Sequence, residues 1–393
     1  MGRGLTIEAL ILSLAGVRSL VAVEAALGLV LSAHTFFNQR DLRHTTRLRR
    51  SVARQAKADG YWVSGLPGEF QRLASRFNCA TGTYMGFEHR AFEKDQHRLN
   101  EIVDRESGLR IVVDDLGAEL VSISRRRTDG NPVTYLHRDE EVVPSGSGWQ
   151  NHATVMGYFV HRLRNEKTLY EGKEIVGGNH GFLRHKMFAD PKIAIGDRAV
   201  LTYSLSASLI KPAEYPRKVS FEISYSLSGS NVEVTFAFDN EERERQAHLS
   251  FGLHPGFAVS SVENARIILP RGSYRRYLAP GNFLSGETFE FESDGGTWPV
   301  KPFELPGTFL LEFIDVDQSV LVLRDYGAAK QVEIDLSEAP YFAIWSDLNP
   351  FICIEPCWGL PDHQEQRPFE KKLGIQVVEP GRTLKRQFSM RFH

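Results

Sequence analysis

From about residue 101 onward the chain consists of short runs in which apolar and polar residues alternate. AELVSIS (118–124), AVLTYSLSASL (199–209), KVSFEISYSLSG (218–229), NVEVTFAFDN (231–240) and KQVEIDLS (330–337) all show it. A two-residue period puts one side of a segment in a core and the other in water, which is the pattern of half-buried antiparallel strands. Turn sequences such as Asp129-Gly130-Asn131 and Gly229-Ser230-Asn231 punctuate the runs. No amphipathic helical stretch of comparable length separates them, which argues against a parallel α/β sheet. The expectation is therefore all-β, with one large sandwich domain over residues 101–393.

The first hundred residues read differently. They hold 14 Lys and Arg against 8 Asp and Glu, whereas the remainder holds 33 against 41, so the formal net charge of -2 joins two unlike segments. Leu5–Ala33 is mostly apolar but is interrupted by Glu8, Arg18 and Glu24. A membrane span wants about 20 nearly uncharged residues, so membrane association of residues 5–33 is disfavoured. The arginines at 43, 47, 49, 50 and 54 have no aromatic residues among them to stack on bases. With the small net charge this argues against a nucleic-acid partner. Residues 1–100 are expected to be an N-terminal extension of unknown role, helical or disordered, with Met85 as an alternative start.

Three cysteines, Cys79, Cys353 and Cys357, are too few and too scattered for a disulfide scaffold or a zinc module, and they suit a reducing, cytoplasmic compartment. No histidine pair has the HExxH spacing, so no metal is assigned. The chemistry-bearing candidates lie elsewhere. His180 sits between Gly178 and Gly181, in a loop where a ligand can approach the backbone. His254 precedes Pro255-Gly256, which reads as the end of a strand. Glu355 follows the apolar run Phe351–Ile354, where desolvation would raise its pKa towards that of a useful base. Arg162 follows an apolar and aromatic stretch. Taken one at a time, each residue has an ordinary alternative: a hydrogen-bonding turn histidine, an edge carboxylate, a surface arginine.

Four blocks in order alter that balance. They are Tyr135–Asp139 with Trp149, then Phe159–Asn165 leading through Tyr170–Lys173 to His180–Arg184, then Gly252–Phe257, and finally Phe351–Asp362. Together they resemble the aldose 1-epimerase (galactose mutarotase) family, in particular its LacX-like branch. The resemblance covers about residues 101–393 and implies a galactose-mutarotase-type β-supersandwich acting on a small-molecule sugar. It implies Glu355 as general base at the anomeric hydroxyl and His254 as general acid at the ring oxygen. His180 and Arg162 would hold the sugar. Opening and reclosing a sugar ring needs only one proton taken and one given, so no cofactor is required.

The sequence departs from the family pattern at His161, where glycine is usual, at His137, where tryptophan is usual, and at Cys357, which reads as inserted between Pro356 and Trp358. Asp315 and Asp347 are the candidates for a substrate-binding aspartate. Two rival readings accompany the mutarotase. One is a hexose-6-phosphate 1-epimerase using Arg184, His185 and Lys186 for the phosphate; the other is a catalytically silent carbohydrate-binding or regulatory module. Oligomeric state is not legible.

Overall fold

The computed structural model describes residues 82–84, 86–126, 132–143, 145–299 and 305–393. The expectations for the apolar stretch 5–33, the arginine cluster, Met85 and Cys79 lie outside these residues. The regular structure of the described residues is antiparallel strand, and the helical segments are 3₁₀ turns of three residues. Among the described residues no helix is long and apolar enough to cross a membrane.

The described residues form three large sheets and a two-stranded ribbon, Lys167–Tyr170 with Lys173–Val176. A six-stranded sheet runs in chain order from Gly82–Tyr84 through Phe87–Lys94, His97–Asp104, Leu109–Asp114 and Leu120–Arg126 to Pro132–Thr134. The nine-stranded sheet has the order Lys192–Ile195, Ala199–Leu205, Val219–Ser228, Asn231–Asn240, Thr383–Phe392, Lys330–Asp335, Val320–Asp325, Ala265–Ile268 and Thr297–Pro299. The third has the order Thr288–Ser293, Gly272–Tyr277, Phe309–Val316, Tyr341–Trp345, Phe351–Trp358, Ala247–Ala258 and Gln376–Val378, with Ala153–Tyr158 also paired to Ala247–Ala258. The last sheet carries His254 and Glu355.

The boundary drawn at residue 101 cuts through a strand. His97–Asp104 pairs on one side with Phe87–Lys94 and on the other with Leu109–Asp114. Leu99 and Ile102 are fully buried. This part of the extension is thus neither helical nor disordered. Its period was masked because FEHRAFEK places charged residues on both faces.

Alternation is clearest in the nine-stranded sheet. In Val219–Ser228 every other residue from Val219 to Tyr225 is buried and the residues between are half-exposed. Phe221, Ile223 and Tyr225 face the main core together with Val234, Phe236 and Phe238 from the neighbouring strand. Each such side chain contributes roughly 1.5–3 kcal/mol by leaving water. The third sheet packs on the same core through Phe251, Leu253, Phe257, Ile352, Ile354 and Trp358. Trp358 stacks on Phe251 at 5.0 Å with an interplanar angle of 11° and donates Nε1–H to the Glu338 carbonyl at 2.8 Å.

In that sheet burial does not alternate. Phe351–Trp358 and Ala153–Tyr158 are buried at every position. One face meets the main core, and the other carries Cys357, Met156, Leu310 and Ala343 in a second, smaller cluster. A strand covered on both faces loses the polar half of its pattern.

Candidate active site

His254 and Glu355 lie mid-strand, not at strand ends. The Ala247–Ala258 strand runs straight through Pro255-Gly256, and the Phe351–Trp358 strand continues three residues past Glu355. Gly252 pairs with Cys357 and Gly256 with Cys353, so His254 falls opposite Glu355. Between those pairs the ladder is interrupted, because Pro255 and Pro356 have no N–H to donate. Glu355 also pairs with Ala343, and His254 with Thr154. Thr154, His254, Glu355 and Ala343 therefore form one row across four strands, and directly opposed residues share a face.

Glycines two residues either side of His254 leave room for its neighbours. A Cβ on Gly256 would lie 2.4 Å from the Trp149 ring, and one on Gly252 would lie 2.8 Å from Met156 Cε. Trp149 stacks on the His254 imidazole at 4.8 Å and 25°, and Trp345 meets its edge at 5.9 Å. Asp347 accepts the Trp149 backbone N–H at 3.0 Å, which fixes the loop bearing that indole.

His254 Nε2 lies 3.3 Å from Glu355 Oε1, with both side chains buried. Burial alone pushes the Glu355 carboxyl up to about 8. Burial, reinforced by the nearby His161 and Arg184, pushes His254 down to about 3. Both groups thus rest in their neutral forms, and their contact is a site of proton sharing, not an ion pair. The neutral pair and the carboxylate–imidazolium pair contain the same protons, so one proton can pass between them without a change in net charge. Glu355 Oε2 is buried with no hydrogen-bond partner, so one carboxyl oxygen remains for a ligand.

His180 joins this pair through its loop. Its ring is 4.9 Å from that of His254, in an edge-on arrangement. The His180 backbone is left-handed at φ 63°, and Gly181 follows at φ 75°. Only glycine fits at 181, since a Cβ there would lie 2.2 Å from the Gly157 carbonyl oxygen. The Gly157 N–H donates to the His180 carbonyl at 3.1 Å, and the Phe182 N–H to the Gly157 carbonyl at 2.9 Å, tying the loop to the Ala153–Tyr158 strand. His180 Nδ1 accepts the His161 backbone N–H at 3.2 Å. Its ring proton is thereby placed on Nε2, free to donate. Burial first, then His254, His161, Arg184 and Arg162, hold its pKa well down. Arg162 is exposed; its backbone carbonyl accepts from the Asp362 N–H at 3.1 Å, and its charge is felt at His180.

The remaining candidates separate. Asp347 supports the Trp149 loop, whereas Asp315 lies opposite Ser273, five residues along its strand from Leu310, the residue that continues the His254 row through Ala343. Arg184 Nη2 donates to Asn151 at 3.0 Å, Lys186 is engaged by Glu214 at 2.7 Å, and His185 is exposed. These three do not converge as a phosphate cradle. His137 tilts over Phe351 at 4.3 Å and stacks near Trp149 at 5.9 Å, so it fills its place as a flat ring. Cys357 causes no bulge, since the pairings 341–357, 343–355 and 345–353 keep one register. It occupies an ordinary strand position, and its Sγ lies 3.6 Å from His161 Nε2. Sequence reasoning had no signal for that contact, or for Trp149 over His254, because both join segments distant in the chain.

Fold and site together define a galactose-mutarotase-like β-sandwich protein. The family model described as aldose 1-epimerase matches residues 101–391, and the chain belongs to that family. Among solved structures it is similar to a galactose mutarotase related enzyme from Lactobacillus acidophilus, at 23% identity and TM-score 0.64 over 78% of this chain and 97% of that one. It is also similar to a galactose mutarotase-like protein from Lactobacillus casei, at 20% identity and TM-score 0.61 over 78% of this chain and 100% of that one. A galactose mutarotase-like protein from Clostridium acetobutylicum follows at 17% identity and TM-score 0.59, over 78% of this chain and 97% of that one. At such identities the likeness is one of fold. No curated protein matches.

Proposed function

We propose that this chain interconverts the α and β anomers of an unphosphorylated hexose or related aldose. The observation that carries the reading is the row that sets His254 Nε2 3.3 Å from Glu355 Oε1, with Glu355 Oε2 unpartnered beside them. Glu355 as carboxylate takes the proton of the anomeric hydroxyl while His254 as imidazolium protonates the ring oxygen. The ring bond breaks, the carbonyl carbon rotates, and the same steps in reverse close the other anomer. Proton transfer by placed groups of this kind contributes typically 10²–10⁴-fold. His180 Nε2–H and Arg162 donate to sugar oxygens, and Trp149 and Trp345 offer apolar faces to a pyranose ring.

Support for an unphosphorylated substrate comes from Lys186, whose charge is already committed to Glu214. Support for catalysis over silent binding comes from the unpartnered carboxyl oxygen, which binding alone does not require. The free thiols Cys353 and Cys357 suit a reducing, cytoplasmic setting. The test is a mutarotation assay, by polarimetry or NMR, over free aldoses and their 6-phosphates. Acceleration on a free sugar exceeding that on its 6-phosphate supports the proposal; acceleration on the phosphates alone refutes the substrate assignment.

A further inference from the structure

The two departures from the family pattern nearest the site touch each other. His161 holds a left-handed backbone at φ 55°, a conformation that glycine adopts without strain and that few other residues favour. Its Nε2 reaches Cys357 Sγ at 3.6 Å. Cys357 and Glu355 are two residues apart on one strand and so share its face. One ligand atom each from His161, Glu355 and Cys357 lies within 4.8 Å of the others, and all three residues are buried. Glu355 Oε2 has no partner there.

We propose that His161, Cys357 and Glu355, with His254 as fourth ligand, form a binding site for a thiophilic divalent transition-metal ion of the zinc class, whose occupancy withdraws Glu355 from sugar chemistry. Two donor–donor approaches already have tetrahedral length, and metal binding draws His254, which lies outside the 4.8 Å trio of His161, Glu355 and Cys357, onto the fourth position. Bonds of about 2.0–2.3 Å imply donor–donor edges of roughly 3.3–3.8 Å. The His161–Cys357 approach is 3.6 Å and the His254–Glu355 approach is 3.3 Å. The charge also closes: one thiolate, one carboxylate and two neutral imidazoles around a divalent ion sum to zero, so the buried complex carries no net charge. Binding displaces one proton from the Cys357 thiol and one from the Glu355 carboxyl, so affinity rises with pH. Cys353 with His254 and Glu355 forms an overlapping trio. The approach of His161 selects Cys357 as the thiolate ligand.

The binding half of the proposal stands apart from the enzymatic reading; the inhibition half rests on Glu355 as base. Chelator-treated full-length protein is titrated with Co²⁺ alone, the probe for zinc. The expected result is a thiolate-to-cobalt charge-transfer band with intense four-coordinate visible bands, saturating at one ion per chain. Cys357→Ser should abolish the charge-transfer band, and His161→Asn, which tolerates the same backbone, should weaken binding at least about tenfold. Cys353→Ser should retain the band. Zinc should abolish wild-type mutarotation, a chelator should restore it, and Cys357→Ser should need at least about tenfold more zinc for half-inhibition. The absence of a charge-transfer band in the wild type, its survival in Cys357→Ser, or its loss in Cys353→Ser would overturn the site. A band without mutarotation on any sugar would leave the metal site standing and remove the enzymatic reading.

Discussion

His254 Nε2 stands 3.3 Å from Glu355 Oε1 across a gap in the strand ladder framed by Pro255 and Pro356. A central strand seldom carries proline, because its missing N–H leaves a carbonyl unpaired. Two prolines flanking one acid–base pair loosen the sheet where the chemistry is proposed. Burial holds both groups neutral, with one transferable proton between them.

That proton inventory sets a pH profile. The active pair needs one proton shared between Glu355 and His254. Burial raises Glu355 to about 8 and lowers His254 to about 3. Mutarotation (kcat/KM) should therefore hold steady through the neutral range and fall tenfold per pH unit above about 8, where the pair loses its proton. A profile that rises through pH 7–9 would contradict it.

Stability should run against activity at Glu355. Its folded pKa is raised from 4.5 to about 8, so between these values the folded chain keeps a proton that the unfolded chain releases. Its contribution is present below about 4.5 and is lost as pH rises through about 8. Glu355→Gln removes a buried ionisable group. It should gain at least about 1 kcal/mol over wild type at pH 9, and little at pH 5, in denaturant unfolding. An equal effect at both pH values would show that Glu355 does not carry the shift.

Gly256 makes room for the Trp149 indole that covers His254. A Cβ at 256 would meet that ring at 2.4 Å. Gly256→Ala should cost about 1–3 kcal/mol and lower kcat/KM by displacing the indole. Trp149→Ala should abolish the stacking without that clash. If Gly256→Ala unfolds and turns over like wild type, the packing description is wrong.

Lys372 and Asp362 form a buried ion pair at 3.1 Å, 2% and 1% exposed. Asp362 Oδ2 also accepts the Arg164 N–H at 2.8 Å, which fixes the chain just after Arg162. Lys372→Met should cost about 3–5 kcal/mol by leaving the carboxylate unpaired. The double variant Lys372→Met/Asp362→Leu should recover part of that loss in thermal unfolding.

Much of this molecule was legible in the sequence where one face meets water. Val219–Ser228 and Asn231–Asn240 alternate because their outer residues are solvated. The motif blocks around Arg162, His180, His254 and Glu355 pointed to residues of which the structure brings His180, His254 and Glu355 side by side, with Arg162 exposed nearby. What failed has physical causes. Pro255-Gly256 reads locally as a strand end, yet Gly256 is there for Trp149 and Pro255 opens the ladder. Residues 87–104 hid their period behind charges that satisfy one another, such as Arg90 with Glu101. The His161–Cys357 contact joins positions almost two hundred residues apart, a separation over which no local pattern carries information.

The most direct measurement is NMR observation of anomer exchange in equilibrated free aldoses with wild type, Glu355→Gln and His254→Asn. Wild type should exchange the anomers of at least one free hexose well above the buffer rate. Each variant should fall by about 10²–10⁴-fold while remaining folded by circular dichroism. Folded variants that exchange anomers as fast as an active wild type would contradict the assignment of Glu355 and His254.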